Sequence, residues 1–214
     1  MSTRPVLVIG DKNLSSWSLR PWLVLRHFGV DFEELRLPLD TPEFHARVGQ
    51  YSPSGRVPAL HHGDLLVWDS LAICEYVNET WLDGAGWPHE RAARALARSV
   101  SAEMHSGFAD LRRHLPMNCR KRLHDFVPPA EAQRDIARVA AIWRECRARS
   151  AGQGDFLFGR FGIADAMYAP VALRFVSYGV TVGPVERAWM DAVLALPALR
   201  EWLSGADAEA AAPA

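Results

Sequence analysis

Two adjacent hydroxyls, Ser15 and Ser16, stand in "NLSSWSLRPWL" (13–23), after the apolar run "PVLVIG" (5–10) and before a helical pattern that closes on Gly29. A strand handing over to a helix leaves free N–H groups and the positive end of a helix dipole at that point. The serines therefore either cap the helix or use its positive end to hold an anion. A second pair, Asp69 and Ser70, closes "VPALHHGDLLVWD" (57–69) and opens the helical pattern "SLAICEYVNETW" (70–81). It reads as a plain N-cap or as a site for a zwitterionic amino-acid group, with the carboxylate taking an ammonium and the helix start taking an acid. Between the two pairs lies Val57-Pro58, just before a strand signal. Proline offers no N–H to a ladder. One solution turns Val57 outward, so that its main-chain groups face a ligand, and a cis bond would hold that turn.

Two textures of sequence must position these residues. Residues 1–82 alternate short strand and helix signals in the order β-α-β-α-β-β-α. A strand–helix–strand unit predicts a parallel pair with a right-handed crossover, and the hairpin around "HHGD" (61–64) adds antiparallel strands. The helix "TPEFHARVGQY" opens with a cap and a first-turn proline. After the turn-rich linker "GAGWP", residues 88–205 are helical. "ERAARALARSVSAEMHSGFADLRRHL" reads as one long helical run, "PAEAQRDIARVAAIWRECRARS" as a second, and the most apolar, "GIADAMYAPVALRFVSYG", as the centre of this half. Two short helices flank Pro197, and the tail "SGADAEAAAPA" reads as frayed. The fold class expected is α+β, a small mixed sheet with helices followed by an all-helical domain.

Composition narrows the function. The chain has 214 residues, 49% of them apolar, which is enough for a core without staples. Basic residues number 24 against 25 acidic ones, a net charge of -1. Many arginines sit beside acids on helices, a solvated face and not a nucleic-acid surface. Cys74, Cys119 and Cys146 are odd in number and far apart, which argues against a disulfide framework and for a reducing, cytoplasmic setting. No run reaches the roughly 18 apolar residues of a membrane span. His61 and His62 are adjacent in a hairpin turn with no further ligands spaced to join them, so no metal site is expected. The serines do not lie in a GxSxG elbow, which removes support for a hydrolase triad.

"SSWSLRPWLVL", "SGRVPAL" and "WDSLAICEYV", in that order, resemble the thioredoxin-like domain of the cytosolic glutathione transferases. "GIADAMYAP" is similar to the capping segment of that family's helical domain, with Gly162 in place of the usual hydroxyl and Asp165 retained. The serine pair resembles the serine-type classes, zeta in particular, although Trp17 stands where zeta has cysteine. The resemblance implies glutathione as co-substrate, a thioredoxin-like domain at 1–82 and a helical domain at 88–205 that lines the electrophile pocket. It also implies a homodimer. It places Ser15 at the thiol, with Ser16 capping or substituting, and Val57, Asp69 and Ser70 at the peptide. It brings His45 and Arg56 toward the glycyl end, a surface or core histidine being the alternative for His45. His105, Phe108 and Arg112, with Glu103 and Ser106, would line the electrophile pocket, or serve a solvated or interfacial face.

The chemistry implied is thiol activation. A thiol with pKa near ~8.5 is about 3% ionised at neutral pH, and only the thiolate is a good nucleophile. Lowering the pKa by about two units needs ~2.7 kcal/mol in favour of the anion. A hydroxyl donor at a helix start supplies that order of energy. The lead expectation is a transferase that adds glutathione to a small electrophile. A glutathione-dependent isomerase, maleylacetoacetate isomerase-like, or a peroxidase is the second. A non-catalytic glutathione-binding or regulatory protein of the same fold is the third.

Overall fold

The computed structural model describes residues 4–123 and 125–211. Four strands, β1 (Val6–Ile9), β2 (Glu33–Arg36), β3 (Ala59–His62) and β4 (Leu65–Trp68), form one sheet in the order β2-β1-β3-β4. β1 runs parallel to β2 and antiparallel to β3, and β3 runs antiparallel to β4. Side chains on β1 alternate between two cores. Leu7 and Ile9 enter the main core with helices α1 (Ser16–His27) and α3 (Ser70–Trp81), while Val8 meets Val48 of α2 (Pro42–Tyr51) on the other face. α2 starts as its sequence predicts, with the Thr41 hydroxyl accepting from the Phe44 N–H at 3.1 Å and Pro42 in the first turn.

The helical half comprises α4 (Arg91–Ser106), α5 (Ala109–His114), α6 (Ala130–Arg149), α7 (Ile163–Ser177), α8 (Pro184–Ala195) and α9 (Pro197–Ala211). α7 is buried along nearly its whole length and packs on α1, α4 and α8. Its start is fixed by Asp165. One carboxylate oxygen accepts from the Leu157 N–H at 2.9 Å and the Trp189 indole at 2.8 Å, and the other accepts from the Gly162 N–H at 3.0 Å. Gly162 is needed for space, because a Cβ there would lie 2.8 Å from the Gly86 carbonyl oxygen.

Two expectations are corrected. The run 90–115 is two helices, not one. α4 stops at Gly107, where a Cβ would meet the Glu103 carbonyl oxygen at 2.8 Å, and Phe108 takes φ +60° to send α5 off in a new direction. The side chain of Phe108 is then buried in the main core, which favours that left-handed turn. The tail is not frayed through Ala211. α9 continues to that residue, and 212–214 lie outside the described residues. Pro21 lies in the second turn of α1 and, lacking an N–H, gives the Trp17 carbonyl no main-chain donor.

α9 matters because it grips the turn between β1 and α1. Glu209 accepts from the Lys12 N–H at 3.0 Å and the Asn13 N–H at 3.5 Å, and the Trp202 indole donates to the Lys12 carbonyl at 2.8 Å. The Lys12 ammonium pairs with Glu34 at 2.7 Å and lies 5.4 Å from the Trp22 ring centre. The stretch after α5 grips the other side, with the Cys119 N–H donating to the Asn13 carbonyl at 3.1 Å.

Asp165→Ala leaves two buried donors and the half-buried Gly162 N–H without an acceptor, and the expected loss of stability is roughly 2–5 kcal/mol by chemical denaturation. Glu209→Ala costs far less globally, about 1 kcal/mol. Its expected signature is local, faster amide hydrogen exchange at Lys12 and Asn13 with α7 unchanged.

Candidate functional site

The grip on the β1–α1 turn delivers the serine pair. Ser15 caps α1, and its hydroxyl turns inward. It donates to the Ser18 hydroxyl at 2.7 Å and accepts from the Ser18 N–H at 3.4 Å, a long contact. Ser18 in turn accepts from the Gly10 N–H at 3.1 Å, tying the helix back to the end of β1. Ser16 is the first residue of the helix, and its oxygen accepts from the Arg174 guanidinium of α7 at 3.2 Å. Both serines are almost fully buried.

Around them lies a concentration of positive charge. Arg20 follows Ser16 by four residues, so it shares that helix face and its side chain leans back toward the helix start. It is fully buried, and none of its three guanidinium nitrogens has a hydrogen-bond partner among the described residues. Its guanidinium lies 4.1 Å from the Trp17 ring centre, and that of Arg112 lies 4.5 Å from the same ring. Arg112 also donates to the Gly107 carbonyl at 3.1 Å and to the Met104 carbonyl, using the break between α4 and α5. Burial pulls the pKa of Arg20 well below its usual value, and Arg112 and Arg174 pull in the same direction. Burial, with Arg112, lowers Arg174 to about 10. That still leaves it a cation at neutral pH. His105 packs edge-on against Trp17 with ring centres 5.3 Å apart.

Asp69 and Ser70 form the second part. Asp69 has φ +79°, a conformation L side chains rarely adopt. One carboxylate oxygen caps α3 through the N–H groups of Leu71 at 2.9 Å and Ala72 at 3.2 Å. The other lies 3.0 Å from His105 Nε2, a contact between the two halves of the chain. The Ser70 hydroxyl is buried and has no partner among the described residues. The Val57-Pro58 bond is cis, and Val57 stands just outside the paired residues of β3. His45 and Arg56 are exposed, and neither side chain makes a hydrogen bond or ion pair among the described residues. His45 touches only the edge of Phe44, with ring centres 5.6 Å apart.

Of the residues singled out from sequence, the fold links Ser16, His105, Arg112 and Asp69 through Trp17, Arg174 and His105. Phe108 belongs to the core. Glu103 is turned away into an ion pair with Arg138 at 2.7 Å, and Ser106 donates to its own helix at Ala102. Trp17, Arg20 and Arg174 were not anticipated as site residues. The available signals were the four-residue spacing of Ser16 and Arg20, and a lone arginine in the most apolar helix.

Other chemistries find little material here. Among the described residues no group of three or more His, Cys, Asp or Glu could hold a metal ion. The three cysteines are free and buried, and burial raises Cys119 and Cys146 to about 12, far from a reactive thiolate. A cavity of about 760 Å³ lies elsewhere, between the linker at Trp87, the start of α4 and the stretch before α7. Among the described residues no helix is long and apolar enough to cross a membrane.

Comparisons with known proteins place the chain in a family. Residues 14–80 match the model of the glutathione S-transferase N-terminal domain, and residues 129–204 match that of the glutathione S-transferase C-terminal domain. A probable maleylacetoacetate isomerase of Caenorhabditis elegans is 32% identical over 108 residues, 50% of each chain. Glutathione S-transferase 1 of Dianthus caryophyllus is 37% identical over 89 residues, 39% of this chain and 38% of that one. The chain thus spans about half, or less, of the length of these curated relatives. A glutathione transferase homolog from Burkholderia gl BGR1, solved with bound glutathione, superposes with a TM-score of 0.73 at 24% identity, covering 96% of this chain and 100% of that one. With both domain models matched in order, on a thioredoxin-like domain followed by helices, the chain belongs to the glutathione S-transferase family.

Proposed function

We propose that the chain is a glutathione transferase that ionises the thiol of glutathione and joins it to a small electrophile. The observation that carries this reading is the pair of buried hydroxyls at the positive end of α1, within a cluster of three guanidiniums. The orphaned Ser70 hydroxyl supports a second contact. A buried hydroxyl without a partner costs about 1–3 kcal/mol, and a ligand carboxylate at the start of α3 would relieve it. Asp69 takes the ammonium of the same amino-acid end and shares its outer oxygen with His105. The main chain of Val57 takes the cysteinyl part. His45 and Arg56, exposed and uncommitted, are the groups for the glycyl carboxylate.

The chain's part in the reaction is electrostatic. A serine O–H and the first N–H groups of α1 stabilise the thiolate over the thiol, and the released proton goes to solvent. The sulfur lone pair then forms the new bond to an electrophilic carbon. In a substitution the leaving group departs with the bonding electrons; in an addition the adjacent carbon takes a proton from solvent. His105 and Arg112 border the side from which the electrophile approaches, while buried Phe108 backs that wall from the core.

A second reading, glutathione-dependent isomerisation, is favoured by one specific observation. Arg20 and Arg112 lie over Trp17 and Arg174 reaches its neighbour Ser16, and among the described residues none of the three forms an ion pair with a carboxylate. A wall of that charge suits an anionic substrate better than a neutral one. The isomerase names among the relatives point the same way. In that reaction the thiolate adds, the carbon skeleton rotates, and the same C–S bond breaks to return glutathione. A cytoplasmic homodimer completes the proposal. Leu65 and Trp68, about half exposed on edge strand β4 (46% and 47%), offer an apolar patch for a second copy.

Ultraviolet absorbance of bound thiolate against pH tests the main reading. The expected result is a pKa about two units below that of free glutathione. Retention of glutathione with no such shift and no turnover would leave the non-catalytic binding protein in its place. The second reading is tested with an electrophile carrying a carboxylate and with its methyl ester. A gain in kcat/KM of about tenfold or more for the acid, lost in Arg112→Met, is expected for an anionic substrate, since one charge-assisted contact is worth ~1.5–3 kcal/mol. Equal rates for acid and ester would leave general conjugation alone.

A further inference from the structure

We propose that Ser16, held by Arg174 of the helical domain, is the hydroxyl that donates to the glutathione sulfur, and that Ser15 is the structural cap. This assignment rests on the thiol-activation reading above and reverses the one that the order of the family motif implies.

The hydrogen-bond directions carry it. A serine hydroxyl has one proton to give. Ser15 gives its proton to Ser18 at 2.7 Å, and Ser18 is itself anchored by the Gly10 N–H. That chain of bonds ties α1 to β1 and leaves Ser15 only acceptor capacity, which repels a thiolate. Ser16 is arranged the opposite way. Its oxygen accepts from Arg174 at 3.2 Å, and its own proton has no acceptor among the described residues. A hydroxyl that accepts from a cation becomes a stronger donor, so the contact both aims and polarises the Ser16 O–H.

Arg174 is itself held firmly. Its other terminal nitrogen donates to the Leu115 carbonyl, and the side chain is 5% exposed. The titratable groups acting on Arg174 are Arg20 from α1, Arg112 from α5 and Tyr178 just after α7. Arg20 and Arg112 add to the positive potential without touching either serine among the described residues. Arg174 alone of the three reaches a hydroxyl. Arg174 is therefore a positioning residue: it acts through Ser16, and it makes thiol activation depend on the seating of α7 against α1.

The test compares the pKa of bound glutathione in wild type, Ser15→Ala, Ser16→Ala, Arg174→Lys, Arg174→Met and the Ser16→Ala/Arg174→Met double variant, alongside their thermal stability. In Ser16→Ala the thiol pKa is expected to rise by about one unit or more, a tenfold loss of thiolate, and the melting temperature also falls, because Arg174 loses a buried acceptor. In Ser15→Ala the pKa rise is smaller and the melting temperature falls, as for loss of a cap. Arg174→Met raises the pKa, and Arg174→Lys, which keeps the charge and a donor, restores part of the shift. The double variant matches Ser16→Ala alone, because a residue acting through another is not additive with it. Additive shifts would overturn the Arg174 role in favour of a direct charge effect. A large rise in Ser15→Ala with none in Ser16→Ala would overturn the Ser16 assignment while leaving thiol activation standing. A wild-type thiol with no depressed pKa would remove both.

Discussion

The structure turns on one short stretch of backbone, the turn from Gly10 to Ser15 that ends β1 and starts α1. A helix start exposes N–H groups and positive potential only as sharply as its first residues are fixed. Here they are fixed from both ends of the chain. Ser18 ties the turn to β1, Glu209 and Trp202 of α9 hold Lys12 and Asn13, and Cys119 holds Asn13 from a third side. Arg174 then reaches in from α7 to Ser16. The sheet domain supplies the reacting end of the helix, and the helical domain determines where it points.

The same arrangement concentrates a cost. Removing an ion from water costs several kcal/mol even after relaxation, and Arg20 is buried with no hydrogen bond among the described residues to offset it. Its stack on Trp17 recovers about 2 kcal/mol. The remainder is carried by the favourable packing of α1, where Leu19, Trp22 and Leu23 are wholly buried. An anion near this cluster would gain from every one of these cations. A neutral ligand would gain from none, so the unpaired arginines favour negative charge on whatever binds beside the serines.

Much of this was legible in the sequence, for identifiable reasons. The order of elements along the chain followed from the alternation of short apolar runs with capped helices, and Thr41-Pro42 fixed the start of α2. Asp69 was legible as a cap, and its φ of +79° and its contact with His105 were not, because both depend on how α3 meets α4. The break at Gly107–Phe108 was hidden by continuous helical periodicity on either side; only the burial of Phe108 decides it. Arg20 and Arg174 looked like ordinary helix charges, since their burial arises where α1 packs on α7. The C-terminal tail looked frayed because small residues dominate it, yet two side chains, Trp202 and Glu209, suffice to seat it.

The central claim is that the start of α1 is built to hold a thiolate, and proton release on glutathione binding tests it most directly. Calorimetry at neutral pH in buffers of different ionisation enthalpy counts the protons freed per glutathione bound. With the thiol pKa lowered by about two units, the account predicts release of more than half a proton per site, since the free thiol is about 3% ionised and the bound one is mostly ionised. Binding with no proton released would contradict it, leaving the serines and arginines as scaffolding around a peptide that stays protonated.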